Sequence, residues 1–361
     1  MLRIGVVIHG PAVIDSGRAG RLIEILSGMG EVHPVLGGAM GRAAVIDAGL
    51  EDLIDISSSL KPGESILALN PSCDVVLLVN EGKSIETGLA FGRIVFERLP
   101  VLEKPVYQLE YAGGCSLIRL NNAFHPFFNE LKQVLDASVV QSPPAVMDLV
   151  MENGITRRPV FGVRPGEYVT VNGIVIGKAL SDNVEIISSG GRITGLDGGR
   201  LKLHGIEKLE HVDLSSAIVR SGVLRDTVTT PRVLEHKASG YAVIIDHSAE
   251  NTFEIAKDAD MAVVVGDDTT AVAGDLLTRL GIPMIGITDG DRDGITHHAH
   301  VPPGSVIIRV SPGNDDIVGR RVREEIFGGR GQMEIGDGGF DGILDGVIGV
   351  ARGMVEEVMR Y

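Results

Sequence analysis

The sequence predicts an α/β protein in which two Rossmann-like α/β units flank a small β-rich domain. In the first and last thirds of the chain, short runs of Val, Ile and Leu end in loops rich in Gly and Asp. Apolar residues at helical spacing follow most of these runs. In the middle third, Asn-Gly and Gly-Gly pairs separate short β-type runs. These patterns divide the 361 residues into domains at 1–155, 156–235 and 236–361.

The first unit opens with a continuous apolar run at residues 4–8, which is typical of a buried parallel strand. Further strands are predicted at 31–36, 74–79, 105–109 and 116–120. Helices are predicted at 18–29, 43–53, 85–99, 126–137 and, in a shorter form, 145–153. Strand, loop and helix in alternation indicate a doubly wound α/β unit.

The middle domain is predicted from its turn residues. The segment YVTVNGIVI at 168–176 carries Asn172-Gly173 between two β-type runs, which is a strong local hairpin signal. A second hairpin is predicted around Gly190-Gly191. A small β-rich domain follows from these two turns.

The last unit returns to the α/β pattern. Its strands are predicted at 241–245, 261–265, 282–287 and 305–310, and its helices at 248–258, 271–280 and 343–359. Ser248 suits the N-cap of the first of these helices. The glycine-rich segment 328–342 is predicted to be a loop.

Composition excludes several classes of function. The net charge of −15, with 4% aromatic residues and no Trp, argues against nucleic acid as a partner. Two cysteines, Cys73 and Cys115, do not make a disulfide framework and favour a reducing, cytoplasmic setting. No apolar run approaches the roughly 18 residues that a membrane span needs. The mean hydropathy of +0.21 is compatible with a homo-oligomer.

The segment ITDGDRDGITHHAH, residues 287–300, is the richest in metal-capable side chains. Asp289, Asp291 and Asp293 alternate directly after an apolar run, at the carboxyl end of a predicted strand. In open α/β sheets this edge is where ligands bind, and hard carboxylate oxygens suit Mg²⁺ or Ca²⁺. We therefore predict a Mg²⁺ site at Asp289 and Asp291, assisted by Asp268 or Asp246.

Other interpretations of this segment stay open. Its aspartates match the first half of a calcium-binding loop, but His300 stands where that loop needs a bidentate Glu. His297, His298 and His300 could instead complete a Zn²⁺, Ni²⁺ or Fe²⁺ site with one aspartate. The plainest alternative is a solvated, Asp-rich turn.

The segment Gly266-Asp267-Asp268-Thr269-Thr270 opens a helix, where hydroxyls and backbone N–H groups could cradle a phosphate. Asp and Thr are also favoured as helix caps for purely local reasons. We predict Asp267, Thr269 and Thr270 as ligand-binding residues, together with His297 from the neighbouring segment.

The first unit offers weaker signals. Gly37, Gly38 and Gly41 precede a helix, in a pattern that could approach a nucleotide but equally suits close helix–strand packing. Arg42 at that helix start could meet an anion. His9, at the end of the first strand, could line a cleft or be a satisfied buried histidine.

Two resemblances add to this interpretation. The segments IGVVIHGPAVIDSGRAGRLIEIL, VLGGAMGRAAVIDAGLEDLIDIS, VNGIVIGKA and ITDGDRDGI resemble an archaeal family of unknown function, found mainly in methanogens. This likeness covers nearly the full chain and implies a cytosolic archaeal protein, with no activity attached. The stretch at 263–295 also resembles part of a TOPRIM domain, whose D-x-D matches Asp289-Gly290-Asp291. The earlier glutamate of that domain is absent, so Asp246, Asp267 or Asp268 would have to replace it.

Two hypotheses of different classes follow. The first is a divalent-metal-dependent enzyme acting on a phosphorylated small molecule or nucleotide, with the cation neutralising charge on phosphoryl oxygens. The second is a non-catalytic ligand-binding or regulatory module that uses the same cleft, for example in cofactor assembly. Convergence of the carboxylates on one point favours the first, and splayed carboxylates favour the second.

Overall fold

The computed structural model describes residues 1–141, 149–172, 174–209, 211–222, 225, 227, 229–290 and 300–361, apart from the His204 side chain. Its α-helices are α1 Ala12–Asp15, α2 Arg18–Ser27, α3 Arg42–Asp47, α4 Pro62–Leu69, α5 Ile85–Phe96, α6 Phe127–Val134, α7 Leu203–Glu207, α8 Thr252–Ala256, α9 Asp267–Leu280, α10 Asp315–Arg321 and α11 Gly339–Val350. A 3₁₀ turn at Ala249–Asn251 and a π-helical turn at Val322–Ile326 complete the helical segments.

The strands alternate with helices at both ends of the chain and follow one another in the middle. They are β1 Arg3–His9, β2 Glu31–Gly37, β3 Val75–Asn80, β4 Val106–Glu110, β5 Ser116–Arg119, β6 Ser138–Val139, β7 Val150–Glu152, β8 Ile155–Pro159, β9 Tyr168–Val171, β10 Ile174–Ala179, β11 Glu185–Ser189, β12 Arg192–Asp197, β13 Gly199–Leu201, β14 Val219–Ser221, β15 Tyr241–Asp246, β16 Met261–Val265, β17 Met284–Thr288, β18 Val306–Val310, β19 Gln332–Glu334 and β20 Val355–Arg360. The predicted α/β class is confirmed.

The chain folds into two compact units. The first unit contains residues 1–35 and 62–226, and the second contains residues 36–61 and 227–361. The three domains inferred from the sequence pattern stay a prediction, because the compactness of each unit does not test which of its parts could fold alone.

The first unit holds one six-stranded sheet of order β2-β1-β3-β4-β5-β6. Strands β1, β3 and β4 are parallel neighbours and β5 is antiparallel to β4. Every residue of β3 and β4 is buried, as expected for central strands covered on both faces. The carboxyl ends of β1, β3 and β4 therefore lie along one edge.

The β-rich part of the first unit contains two four-stranded sheets, β13-β10-β9-β14 and β12-β11-β8-β7. Strands β9 and β10 form the hairpin predicted from Asn-Gly, and Asn172 has the positive φ of 51° that this turn requires. Strands β11 and β12 form the second predicted hairpin, with Gly190 and Gly191 at positive φ. Both hairpin predictions are confirmed.

The second unit holds a sheet of order β19-β15-β16-β17-β18-β20, in which the four central strands are parallel. Alternate residues of the strands bury on opposite faces, so Val263 and Val265 pack with α10 and α11 while Val264 packs with α8 and α9. Helices on both faces explain why these strands are apolar throughout. The antiparallel strands β19 and β20 occupy the two edges.

Two glycines determine where helix α9 begins and ends. Gly266 takes a φ of 98° to turn the chain out of β16, and Gly281 ends the helix in the left-handed region at φ 68°. Asp267 and Asp268 occupy the first turn, where the helix dipole favours negative charge. The helix therefore starts four residues earlier than the apolar spacing predicts.

Several segments differ from the sequence prediction. Residues 150–152 form a strand instead of part of a helix, because Asn153 and Gly154 take positive φ and turn the chain into β8. The residues before 149 in that predicted helix lie outside the described part. The closing helix ends at Val350, and residues 355–360 pair with β18 after a turn at Gly353, whose φ is 85°.

The third difference concerns the helix predicted at 248–258. This segment divides into the 3₁₀ turn and the five-residue α8, and the Ser248 side chain makes no capping hydrogen bond. The predicted loop at 328–342 also contains β19 and the start of α11.

Two helical glycines give opposite expectations for substitution by alanine. A Cβ on Gly92 of α5 would lie 1.9 Å from the buried Gln108 Oε1, whereas a Cβ on Gly349 of α11 meets nothing within 4 Å. We expect Gly92→Ala to destabilise by about 1–3 kcal/mol through overpacking. We expect Gly349→Ala to stabilise by about 0.5–1 kcal/mol through helix propensity. Urea unfolding of both variants measures the change in the free energy of unfolding. Changes in the same direction for the two variants would contradict the packing argument.

Candidate functional site

The carboxyl edge of the second sheet collects one acidic residue from each central strand. Asp246 ends β15, Asp267 follows β16, Asp289 follows β17, and Asp315 opens α10 after β18. The parallel register sets Asp246 beside Val265, Val265 beside Ile287 and Ile287 beside Ile308, so the four strands end at nearly the same level. Sheet geometry therefore brings together side chains that are far apart in sequence.

Three of these residues converge, and we call Asp267, Asp289 and Asp315 the carboxylate cluster. One carboxylate oxygen from each lies within 4.8 Å of the oxygens from the other two. Asp267 is 5% exposed and Asp315 is 7% exposed. Three carboxylates this close, two of them buried, form an oxygen-rich site with strong negative potential.

Backbone N–H groups hold the cluster in place. Asp267 Oδ2 accepts from the N–H groups of Asp289 (2.9 Å) and Gly290 (3.2 Å). Asp289 Oδ2 accepts from Gly313 N–H at 2.7 Å, and Asp315 Oδ1 accepts from Asp316 N–H at 2.9 Å. Each carboxylate is therefore fixed by the loop that follows a neighbouring strand or by its own helix.

The pKa of Asp267 reflects the electrostatics of the carboxylate cluster. Burial and the neighbouring carboxylate of Asp289 raise the pKa of Asp267 to about 6, although two backbone N–H groups favour its charged form. A carboxyl with this pKa is ionised at pH 7 at a cost in stability. A bound cation would offset that cost.

A histidine lies beside the cluster. His247 Nδ1 is 2.6 Å from Asp246 Oδ1, and His247 Nε2 is 3.0 Å from Asp316 Oδ1. His247, Asp315 and Asp316 also place one ligand-capable atom each within 4.8 Å of one another. Asp315 therefore belongs to both groups and links the histidine to the carboxylate cluster.

Asp246 and the backbone fix the position of His247. The hydrogen bond with His247 lowers the pKa of Asp246 against the opposing effect of burial, and Arg323 lies 3.6 Å away on the other oxygen. His247 itself has a φ of 50°, a left-handed conformation that a histidine seldom adopts. Strained backbone of this kind is typical of functional sites.

The remaining predicted residues of this edge have different surroundings. Asp246 pairs with His247 and Arg323, and neither group of ligand-capable atoms in the described chain includes Asp246 or Asp268. Thr269 is buried, and Thr270 Oγ1 is buried with no hydrogen-bond partner in the described part. Asp291 and His297 lie outside the described residues.

The glycine loop of residues 37–41 folds with the second unit. Gly37 ends β2, Gly38 takes a φ of 93° and donates its N–H to the Leu60 carbonyl, and Gly41 precedes the six-residue α3. The anion that Arg42 contacts is the carboxylate of Glu254, within the same unit. A nucleotide at these glycines stays a prediction.

Sequence reasoning did not select Asp315 or Asp316 as site residues, whereas it named His247 and His297 as candidate general bases. The signal for Asp315 was the segment Ser311-Pro312-Gly313-Asn314, a turn that follows the last apolar strand and leads into an acidic helix start. The strand-end rule that selected Asp289 selects Asp315 too, once its strand is known to neighbour β17.

Comparison with known proteins identifies the family to which the chain is similar. A family model described as an uncharacterized protein conserved in archaea (DUF2117) matches residues 6–330. An uncharacterized protein of Methanocaldococcus jannaschii is 42% identical over 334 residues, covering 90% of this chain and 92% of that protein. No solved structure shows significant similarity to the chain. Among the described helices, none combines the length and apolar character needed to cross a bilayer.

Proposed function

The chain belongs to this archaeal family, and we propose that its carboxylate cluster binds a divalent cation for chemistry on a phosphorylated small molecule or nucleotide. The observation that carries the proposal is the convergence of Asp267, Asp289 and Asp315 within 4.8 Å, from the ends of three neighbouring strands. Because carboxylates at this separation repel one another, a cation between them is favoured over bulk solvent.

The chemistry of the ligands favours a hard cation. All three groups of the cluster are carboxylates, and oxygen ligands suit Mg²⁺, Mn²⁺ or Ca²⁺ better than metals that prefer nitrogen or sulfur. Mg²⁺ is often held by one or two carboxylates with the remaining positions left to water and substrate phosphate. We therefore assign Mg²⁺ as the cation, with Mn²⁺ as its experimental substitute.

The neighbouring residues suit proton transfer. Bound Mg²⁺ would supply electrostatic stabilisation of negative phosphoryl oxygens. Asp246 accepts a hydrogen bond from His247 Nδ1 and so orients the ring, in the way that carboxylates orient catalytic histidines. His247 Nε2 then faces Asp316, beside the cluster, where it could exchange a proton with a bound ligand.

One contact favours the alternative of a non-catalytic binding or regulatory module. His247 Nε2 is already paired with Asp316 Oδ1 at 3.0 Å, so proton transfer requires this ion pair to open. In a binding module the same pair stays closed and only brings Asp316 next to Asp315. The two functions therefore differ in what His247 does, with the same cation site.

The experiment that separates them screens nucleotides and sugar phosphates with Mg²⁺ or Mn²⁺, recording both ligand-induced stabilisation and phosphate release. An enzyme gives cation-dependent turnover that falls at least tenfold in His247→Gln while cation affinity is kept. A binding module gives cation-dependent stabilisation with no turnover in either protein. Ligand effects that are equal with and without cation would overturn the proposal.

The pH dependence of cation binding follows from Asp267. Its folded-state pKa of about 6 lies above the ordinary value of 3.8, so between these pH values the folded protein holds more protons. The contribution of this group to the free energy of unfolding therefore falls as pH rises through that window. A cation competes with the same proton, so affinity for Mn²⁺ should drop by up to about tenfold per pH unit below pH 6.

Calorimetric titration of Mn²⁺ at pH 7.5 and pH 5 measures this effect. Two buffers of different ionisation enthalpy at pH 5.5 should reveal proton release on binding. Equal affinity at both pH values, with no proton release, would show that Asp267 is not a ligand.

A further inference from the structure

A second polar arrangement lies at the carboxyl edge of the first sheet. His9 ends β1, Asn80 ends β3 and Glu110 ends β4, and hydrogen bonds join them in that order. We call these three residues the polar relay. It belongs wholly to the first unit and shares no residue with the carboxylate cluster.

Glu110 anchors the relay. Its side chain is fully buried, and its carboxylate accepts from Gly82 N–H (2.7 Å), Ala112 N–H (2.9 Å), Asn80 Nδ2 (2.7 Å) and Gln108 Nε2 (3.3 Å). No lysine or arginine in the described part of the chain forms an ion pair with it. Four N–H donors therefore satisfy the carboxylate and fix its position.

The hydrogen bonds determine which nitrogen of His9 carries the proton. Because Asn80 donates its Nδ2 to Glu110, its Oδ1 must be the atom that faces His9 Nδ1, at 2.9 Å. An amide oxygen can only accept, so His9 Nδ1 carries the hydrogen. In the neutral ring, Nε2 is then an acceptor with an open lone pair.

The ring is held firmly in that state. Phe91 stacks on His9 with ring centroids 4.1 Å apart and planes at 20°. Burial lowers the pKa of His9 to about 4, with the Asn80 hydrogen bond opposing this effect and the charge of Arg220 adding to it. His9 is therefore neutral at physiological pH, and its Nε2 makes no hydrogen bond with any described residue.

The position of His9 is one where α/β sheets bind ligands. In the order β2-β1-β3-β4, the chain leaves β1 toward β2 on one side and returns to β3 on the other. Ligands occupy the crevice at such a switch in strand order. Arg220 of β14 contributes positive charge that reaches His9, and the described residues offer its guanidinium no acidic partner.

We infer that this edge is an anion site, in which His9 Nε2 accepts a hydrogen bond from a hydroxyl of the ligand and Arg220 pairs with its negative oxygens. The ligand class is a protonated oxyanion, such as inorganic phosphate or a phosphate monoester carrying a neighbouring hydroxyl. Asn80 and Glu110 are positioning residues that hold the His9 lone pair toward the ligand.

The protonation state and tautomer of His9 can be tested by ¹⁵N-resolved NMR of the histidine rings at pH 7. The expected result is a neutral His9 with its proton on Nδ1. His125 is an internal control of opposite type, because its Nδ1 accepts from Phe127 N–H at 3.2 Å and a neutral ring there carries its proton on Nε2. A proton on Nε2 of His9, or a charged ring at pH 7, would overturn the inference.

The ligand can be tested by titrating inorganic phosphate and sulfate into the full chain with EDTA present, so that cation binding plays no part. Phosphate carries a P–OH at pH 7 and can donate to Nε2, whereas sulfate has no proton to donate. Phosphate should therefore shift the His9 ring signals and bind at least tenfold more tightly than sulfate.

Two arginine variants make the result specific. Arg220→Gln should weaken phosphate binding about tenfold or more, while Arg200→Gln, an exposed arginine of β13, should leave it unchanged. Equal binding of sulfate and phosphate, unmoved His9 signals, or equal effects of the two variants would each overturn the anion site. None of these outcomes bears on the cation site of the second unit.

Discussion

Replacing Asp47 by asparagine is expected to destabilise the second unit by up to about 3–5 kcal/mol, because it removes the more buried of the two carboxylates that pair with Arg279. Arg279 is 1% exposed, and its Nε and Nη2 lie 2.8 Å and 2.6 Å from the two carboxylate oxygens of Asp47. Asp275 supplies a further ion pair at 2.9 Å, but its side chain is more exposed than that of Asp47. An amide keeps the size of Asp47 and loses the charge that balances the guanidinium.

Urea unfolding of Asp47→Asn measures this loss as a lower midpoint. Asp341→Asn is the matched control, because Asp341 and Arg360 form an exposed pair at 3.9 Å with 78% and 69% of their side chains accessible. The control should change stability by less than about 1 kcal/mol. Similar midpoints for the two variants would show that the buried pair contributes no more than a surface pair.

Replacing Asp267 by asparagine is expected to stabilise the metal-stripped protein and to remove its response to cations. The new side chain can still accept the N–H groups of Asp289 and Gly290 through its amide oxygen, while the repulsion between the carboxylates disappears. The gain at pH 7.5 should be on the order of 1–3 kcal/mol, since each pKa unit corresponds to about 1.4 kcal/mol.

Thermal unfolding of Asp267→Asn and of the wild type, in EDTA and then in excess Mg²⁺, tests both parts of this prediction. The variant should unfold at the higher temperature in EDTA, and only the wild type should gain from Mg²⁺. A variant less stable than wild type in EDTA would mean that the Asp267 charge stabilises the loops around it, in contradiction to the repulsion argument.

Much of the second sheet could be predicted from sequence because its strands are continuously apolar and end in polar loops. The strand at residues 261–265 has the predicted bounds, and the position of Asp289 directly after an apolar run predicts it as a site residue. The sequence pattern predicts too long a closing helix, because the Val and Met residues after Gly353 also fit helical spacing. Pairing with β18, a non-local contact, makes them a strand.

The candidate site could be predicted only in part for the same physical reason. A strand-end rule finds Asp267 and Asp289 individually, but which strand ends are neighbours depends on sheet order, which local patterns do not encode. Asp315 lies beyond a four-residue turn and becomes part of the cluster only because β18 pairs with β17. Similarly, no local pattern indicates that residues 36–61 fold into one unit with residues 227–361. The ion pair between Asp47 and Arg279 is one contact between these two segments.

The most direct test of the account is calorimetric titration of Mn²⁺ into metal-stripped wild type, Asp289→Asn and Asp341→Asn at pH 7.5. The carboxylate cluster predicts one saturable site in the wild type and in Asp341→Asn, and at least tenfold weaker binding in Asp289→Asn. No saturable binding to the wild type, or equal affinity in all three proteins, would contradict a cation site at Asp267, Asp289 and Asp315.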